Sequence, residues 1–470
     1  MIPENTGGIK RGKPPRVGKS ALAPDGRIAP GVIVRPWQPD NRYGWISAFL
    51  MGLMVVRMLI PGFFNYTDTD TAADAGELYN QVIWWGILGI CALTIVWRSS
   101  VARGMLDLIN PWFFIYFAFA AASVLWSIDS GATIRRLVRI VIIVVACWSV
   151  VLVGWHPRRF QNVIRPVVSA LLLGSIIFGV MYPDLAITPP TPTDPLPSWH
   201  GLTSQKNQLG GLASFGAIFW FHGWLIREVP TSRAVFWGAI AFACLLLSRS
   251  STSLIVTVFV FMLLLMMLRS PPNLRAYMPY IVAAFLIIIL IYALAILRLV
   301  PGLEILLKPI EILTGKSATF SDRSIIWEIV GEQIAVHPIL GSGYGAYWAG
   351  PYPTSVSYVF LGRMNFYPWS SHNGYMDIIN DLGFVGIMLF FGFLITYVKQ
   401  SLRLMVVDRK QASLYIGLLF QQVLGNLSET HWLTPLNVDF IFMTIAVFAI
   451  ARQLLDVRFQ STYGALRSSN

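Results

Sequence analysis

The sequence predicts an all-α, polytopic membrane protein with about twelve transmembrane helices, and three observations carry that prediction. The 470 residues are 55% hydrophobic and 12% charged, with 17 Trp, 29 Phe and a mean hydropathy of +0.62, a balance unusual in a soluble domain of this size. The apolar residues fall into runs of about 15 to 20, the length that crosses roughly 30 Å of hydrocarbon as a helix. Pro and Gly interrupt these runs at their ends, and short alternating segments are not the pattern, so a helical bundle is favoured over a β-barrel.

Residues 1–43 are polar, Pro/Gly-rich and basic. They read as a disordered cytoplasmic arm, with no short basic region leading directly into an apolar one as in a cleavable signal peptide. Lys10, Arg11, Lys13, Arg16 and Lys19 either set topology as a positive flank or touch anionic lipid head groups. Residues 44–470 read as one transmembrane domain. Its candidate spans are 45–61, 80–97, 111–127, 138–155, 166–183, 208–225, 234–248, 254–268, 280–299, 382–398, 412–428 and 436–452.

An even number of spans puts both termini on one side. Short loops on that side hold Arg98, Arg103, Arg158, Arg159, Lys399, Arg403, Arg409 and Lys410, which makes it the cytoplasmic face. The long loop at about 300–381 is then external, periplasmic in a bacterium. So are the acidic first outer loop (Asp68, Asp70, Asp74, Glu77) and the extended Pro-rich connection Thr188 to Pro197. No internal repeat is evident. The net charge of +12 therefore reflects membrane topology, and no nucleic-acid partner is expected. Cys91, Cys147 and Cys244 each sit in an apolar run, so neither a disulfide framework nor a zinc site is expected.

Several polar residues break this pattern where chemistry can occur. Arg249 is the only charged residue between Arg233 and Arg269. That interval is short for two full spans, so the polar turn around Arg249 sits slightly below the outer membrane surface. It reads either as a snorkelling hairpin arginine or as an anion site. Arg323 precedes Ile325, Ile326, Ile329, Val330 and Ile334, an amphipathic spacing that predicts a short helix ending at His337-Pro338. An arginine at a helix N-terminus makes a phosphate cradle, and pairing with Asp322 or Glu328 is the alternative.

His372 opens a helix whose Asn373, Asp377, Asn380 and Asp381 follow helical spacing, a polar stripe that predicts a solvated groove at the membrane entrance. An imidazole there either accepts a proton from an approaching hydroxyl or is a hydrogen-bonded structural residue. Gly341, Gly343 and Gly345 lack a following Lys-Ser/Thr and are read as a turn that allows close backbone approach to a ligand. Tyr344, Tyr347, Trp348, Tyr352, Tyr358, Phe366, Tyr367 and Trp369 suit either sugar rings or an interfacial aromatic belt. Arg135, Arg136 and Arg139 are anion contacts or a solvated flank. Lys206-Asn207 reaches the same outer region, and Glu429 is placed to orient His431 or another partner.

Asp322-Arg323-Ser324-Ile325-Ile326-Trp327, then His337-Pro338-Ile339-Leu340-Gly341-Ser342-Gly343-Tyr344-Gly345, then His372-Asn373 with Gly383 and Gly386, together resemble the signature of the O-antigen ligase and Wzy-type polysaccharide polymerase superfamily. Ile387 stands where the motif has Leu. Ser248-Arg249 and Lys206-Asn207 also resemble family positions, so the likeness runs from about residue 110 onward, and it is strongest to exopolysaccharide polymerases of the ExoQ kind. The resemblance implies a GT-C-type glycosyltransferase fold with a large periplasmic loop and no metal or other cofactor. It also implies an undecaprenyl-diphosphate-linked oligosaccharide as donor, with its diphosphate held by Arg249 and Arg323, and His372 activating the acceptor hydroxyl. Lys206, Asn207, Arg135, Arg136, Asn373, Tyr344 and Glu429 are the further candidate substrate contacts. The expected partners are the growing polysaccharide, membrane lipid and a chain-length regulator or export protein. An O-antigen ligase acting on the lipid A core shares this chemistry, and a lipid-linked oligosaccharide flippase is the competing class.

Overall fold

The computed structural model describes residues 44–64, 78–190, 196–275, 277–296, 302, 305, 321–434 and 437–468. The basic tail, the acidic first outer loop, half of the Pro-rich connection and the start of the long loop lie outside them. Helices account for nearly all the regular structure: α1 Gly44–Phe64, α2 Leu78–Trp97, α3 Ser99–Leu106, α4 Pro111–Ala122, α5 Ser130–Leu152, α6 Arg159–Met181, α7 Lys206–Leu225, α8 Thr231–Leu247, α9 Ser251–Arg269, α10 Met278–Ile296, α11 Ser321–Val336, α12 Gly374–Val407, α13 Arg409–Gly425 and α14 Val438–Ser468. A two-residue antiparallel pairing, β1 Ile187–Thr188 with β2 Ser198–Trp199, closes the connection before α7.

A helix lies over each of the twelve apolar stretches. Among the described residues four helices are long and apolar enough to cross a membrane by themselves: Arg159–Met181, Ser251–Arg269, Gly374–Val407 and Val438–Arg458. A fifth span would join Val82–Trp97 to Ser99–Leu106 across an 85° bend. The chain is a multi-pass membrane protein. Apolar side chains on its perimeter, such as Trp85, Leu93 and Val96 on α2 and Val235, Phe236 and Leu246 on α8, are exposed, as expected where the surrounding solvent is lipid.

The core is organised around α14. Residues 440–451 are buried on every face of this helix, the signature of a central helix enclosed by others. Phe442 packs edge-on against Phe160, Phe215 and Phe219 at 5.8, 4.9 and 5.8 Å, while Phe448 stacks on Trp148 of α5. Such edge-to-face packing adds about 0.5–1.5 kcal/mol per pair beyond area burial. Around this pillar α7 pairs with α8 and α9, α9 with α13, and α12 with α4 and α13.

The feature that positions the site is a break in α12. Gly383 has φ 65° and ψ −167° within an otherwise continuous helix. A break of this kind leaves backbone donors and acceptors without helical partners, which is costly inside a membrane. The turn at Pro338–Gly343 supplies replacements. Phe384 N donates to Pro338 O (2.9 Å) and Val385 N to Ile339 O (3.2 Å), while Ser342 N and Gly343 N donate to Asn380 O (2.8 Å) and Asp381 O (2.9 Å). The two backbones approach so closely that a Cβ at Gly383 would overlap the Ile339 carbonyl, and one at Gly341 (φ +73°) would overlap the Asp381–Leu382 backbone. The close approach expected of this glycine turn is therefore to α12 and not to a ligand.

Two other expectations are corrected here. The Asp377–Asp381 stripe is not a solvated groove: Asp377, Asn380 and Asp381 are buried. Asp377 accepts from Trp348 Nε1, Ser371 N and Thr430 Oγ1, and Asp381 accepts from Gly345 N. The loop aromatics divide, since Tyr347, Trp348, Phe360 and Tyr367 pack with Ile326, Ile329 and Val330 into a separate small core. Tyr352, Tyr358 and Phe366 remain exposed.

Gly383→Ala is expected to destabilise the protein by about 1–3 kcal/mol through left-handed backbone strain alone, with the overlap adding to it, read as a lowered Tm of detergent-purified protein. Gly331→Ala in α11, where a Cβ would meet nothing, is expected to be neutral or to stabilise by about 0.4–1 kcal/mol.

Candidate active site

Five segments converge at the end of the bundle where the glycine turn docks. The first is the loop between α13 and α14. Asn426 fixes its path, because its side-chain oxygen accepts from His431 N (2.8 Å) and Trp432 N (3.0 Å) while its backbone carbonyl accepts from Gly374 N (2.9 Å). The second is the start of α12. Asn373 is its N-cap, accepting from Tyr375 N and Met376 N at 3.1 Å, and its amide also donates to Leu427 O. An Asn cap of this type is worth about 1 kcal/mol. His372, just before the cap, has φ 52°, a left-handed conformation that turns the chain back towards the loop. The helix thus begins two residues later than the sequence suggested.

The third segment is α11, which carries Arg323 in its first turn as predicted. Trp327 Nε1 donates to Ser371 O (2.9 Å), tying this helix to the residue before His372. The fourth is the start of α7, where Lys206 is the first helical residue and Asn207 the second. The fifth is the turn between α8 and α9, where Arg249 is part-buried with φ 54°. Thr252, in the first turn of α9, shares a 2.8 Å hydrogen bond with Ser428 Oγ. Gly210, three residues beyond Asn207, lets the turn close onto α7, since a Cβ there would press on Ser250 and Ser253.

Glu429 lies at the centre. Its Oε1 accepts from Asn207 Nδ2 at 2.6 Å and from Arg323 Nη2 at 2.8 Å, and its Oε2 faces His372 Nδ1 at 3.3 Å. Arg323 Nη1 also donates to the Ser428 carbonyl. The side chains of His372, Arg323 and Glu429 are 21%, 19% and 16% exposed, so the cluster is sheltered yet reachable. Burial by itself raises the Glu429 carboxyl. The His372 hydrogen bond and the charges of Arg323, His372 and His431 outweigh it and bring Glu429 down to about 2. His431 forms a second pair beside it, with Nδ1 at 3.3 Å from Asp439 and 2.7 Å from Asn437 Nδ2. Burial opposes its charge, but Asp439 and Glu429 raise it above the ordinary imidazole range.

The structure thus brings together His372, Arg323, Asn207 and Glu429, and sets the Arg249 turn against the same loop. Arg323 pairs with Glu429, across the fold. Other candidates bond to the protein itself. Arg136 donates to Trp348 O (2.6 Å) and packs on Gly345. Tyr344 is buried, with its N–H on Ser123 Oγ and its hydroxyl donating to Leu433 O. Arg135 is exposed on the first turns of α5. Sequence reasoning missed Asn426, Ser428 and Thr430, short polar residues next to Glu429 whose only signal was their position at a helix C-terminus.

A Nδ1–H turned to a carboxylate leaves Nε2 as the basic nitrogen of the imidazole, so the site can take a proton from a hydroxyl beside fixed cationic groups. Since Glu429 is depressed, its stabilisation is fully present above the ordinary carboxyl value of 4.5 and disappears as pH falls through about 2. The Tm difference between wild type and Glu429→Gln is therefore expected to be present at pH 7 and to shrink below about pH 4.5.

A family model described as O-antigen ligase matches residues 234–391, which include Arg249, Arg323 and His372 but not Glu429. The exopolysaccharide production protein ExoQ of Rhizobium meliloti (strain 1021) is 26% identical over 366 residues, covering 73% of this chain and 78% of that protein. Both matches bear out the resemblance carried by the Arg323, His372 and Gly383 motifs, that of the O-antigen ligase and Wzy-type polysaccharide polymerase superfamily.

Proposed function

We propose that this chain is a polysaccharide polymerase, joining undecaprenyl-diphosphate-linked oligosaccharide units into exopolysaccharide at the periplasmic face of a bacterial inner membrane. The observation that carries the proposal is the imidazole of His372 set against Glu429 and beside Arg323. In this reading the protein has about twelve spans in a GT-C-type arrangement, a cytoplasmic basic tail and both termini inside.

An acceptor hydroxyl approaches His372, its proton passes to Nε2, and its oxygen bonds to the anomeric carbon of the donor. The carbon–oxygen bond to the lipid diphosphate breaks, and the electron pair leaves with the phosphate oxygen. Negative charge therefore grows on the diphosphate in the transition state, where Arg249 and Arg323 stabilise it most. Arg323 is shared in this scheme between the Glu429 loop and the donor. Lys206 and Arg135 add positive charge around the entrance. A chain-length regulator or export protein would act on the product.

A second reading, transfer to a lipid A core as in an O-antigen ligase, is favoured by the description of the matching family. Likeness to an exopolysaccharide production protein favours polymerisation. Deleting the gene and examining secreted polymer and lipopolysaccharide separately distinguishes them: loss of polymer supports the polymerase, whereas unligated polymerised lipid-linked chains support the ligase.

Reconstituted protein supplied with a purified lipid-linked repeat unit is expected to yield glycosidic products of growing length. Movement of the substrate across the bilayer without new bonds would instead make the protein a flippase. Arg323→Lys keeps the charge but loses the planar fork, and polymer yield is expected to fall by about 10²-fold or more, the scale of losing a fixed transition-state contact. Wild-type yield from that variant would remove Arg323 from the mechanism.

A further inference from the structure

We propose that Glu429 is the positioning residue of His372, fixing which imidazole nitrogen meets the acceptor. The inference rests on the transferase reading above. Both oxygens of this carboxylate are committed, Oε1 to Asn207 and Arg323 and Oε2 to the His372 ring. These donors come from three separate elements, the start of α7, the start of α11 and the segment before α12.

The Glu429 backbone is equally restrained. Its carbonyl accepts from Gly374 N (3.1 Å), Ser428 accepts from Arg323 and bonds Thr252, and Asn426 closes the turn that follows. A carboxylate held from so many sides is a fixed reference for the ring. It accepts Nδ1–H, and geometry then aims Nε2 away from the loop. When Nε2 takes the hydroxyl proton, Glu429 stays ionised and stabilises the imidazolium, in the manner of an acidic residue that orients a catalytic histidine. With its oxygens committed to the protein, Glu429 is placed to act through His372 and not by touching the sugar. The charged and titratable groups around it are Arg323, His372, His431 with its partner Asp439, Lys206 next to Asn207, and Arg249 in the neighbouring turn.

The test uses full-length protein reconstituted with a lipid-linked repeat unit, comparing wild type, Glu429→Gln, Glu429→Asp and Asn207→Ala. Glu429→Gln is expected to lower kcat by about 10²–10⁴-fold, with KM for the donor changed by no more than about threefold, since binding and the chemical step separate in this way. Glu429→Asp is expected to recover part of kcat, and Asn207→Ala to lower it by about 10-fold.

The ¹⁵N shifts of His372, assigned by their loss in His372→Gln, supply a readout independent of turnover. Nδ1–H should predominate in wild type, and Nε2–H should gain in Glu429→Gln. A raised KM with kcat kept, or an unchanged tautomer in Glu429→Gln, overturns the proposal. An inactive wild type with the expected tautomer change would instead overturn the transferase reading and leave the positioning contact standing. If Glu429→Gln does not fold, an Asn207→Ala variant with wild-type kcat and tautomer overturns the proposal.

Discussion

Inside a membrane a broken helix must find new hydrogen-bond partners for the backbone groups it exposes, and the break at Gly383 governs how the rest of the site is assembled. The Pro338–Gly343 turn meets that requirement by pairing with α12 on both sides of the break. Docking the turn there brings α11 down onto the bundle, because only one residue separates Val336 from Pro338. It also places Asp381 and Asp377 under the loop, where Gly345, Trp348, Ser371 and Thr430 bond to them. His372 and Arg323 are therefore consequences of one backbone constraint. Each is delivered by a segment that has to be where it is for the membrane helix to be satisfied.

The opposite ends of the helices carry a second polar network that fixes which helices are neighbours. Arg158 reaches Asp408 (3.4 Å) and Gln411 (2.8 Å), Gln161 pairs with Gln411, Arg165 pairs with Glu228 (3.3 Å), and His222 Nε2 lies 2.7 Å from the Lys410 carbonyl. Buried ion pairs return little net stability after desolvation. Between helices whose other surfaces are mostly apolar, however, they favour correct over incorrect pairing. The bundle is thus keyed at both ends and greased along its length by aromatic packing around α14.

At the site itself, electrostatics favours one arrangement. Glu429 is surrounded by Arg323, His372 and His431, and this excess of positive charge keeps it ionised despite burial. A carboxylate so held restrains the imidazole and neutralises part of the surrounding cationic charge. The same loop holds both side chains, since Ser428 and Glu429 together receive the Arg323 guanidinium and Glu429 faces His372.

Much of this was legible in the chain alone. Hydropathy run lengths located a helix under each apolar stretch, because the bilayer imposes length on any segment that crosses it. Amphipathic spacing found α11 and its end at His337, residue type with motif spacing singled out His372 and Arg323, and position at the end of an apolar run singled out Glu429. The fate of the polar stripe and the loop aromatics was not legible. A solvated groove and a buried strut use the same Asp and Asn at the same helical spacing, and a sugar platform and a small core use the same Tyr and Trp. Nor could the contact between Arg323 and Glu429 be read locally, since the two are 106 positions apart in the chain. The sequence by itself determined where helices form and which polar side chains interrupt them, because those depend on local periodicity and functional groups. Only the tertiary structure decided which carboxylate meets which imidazole, because that contact exists only once a broken helix has folded a distant loop over its own gap.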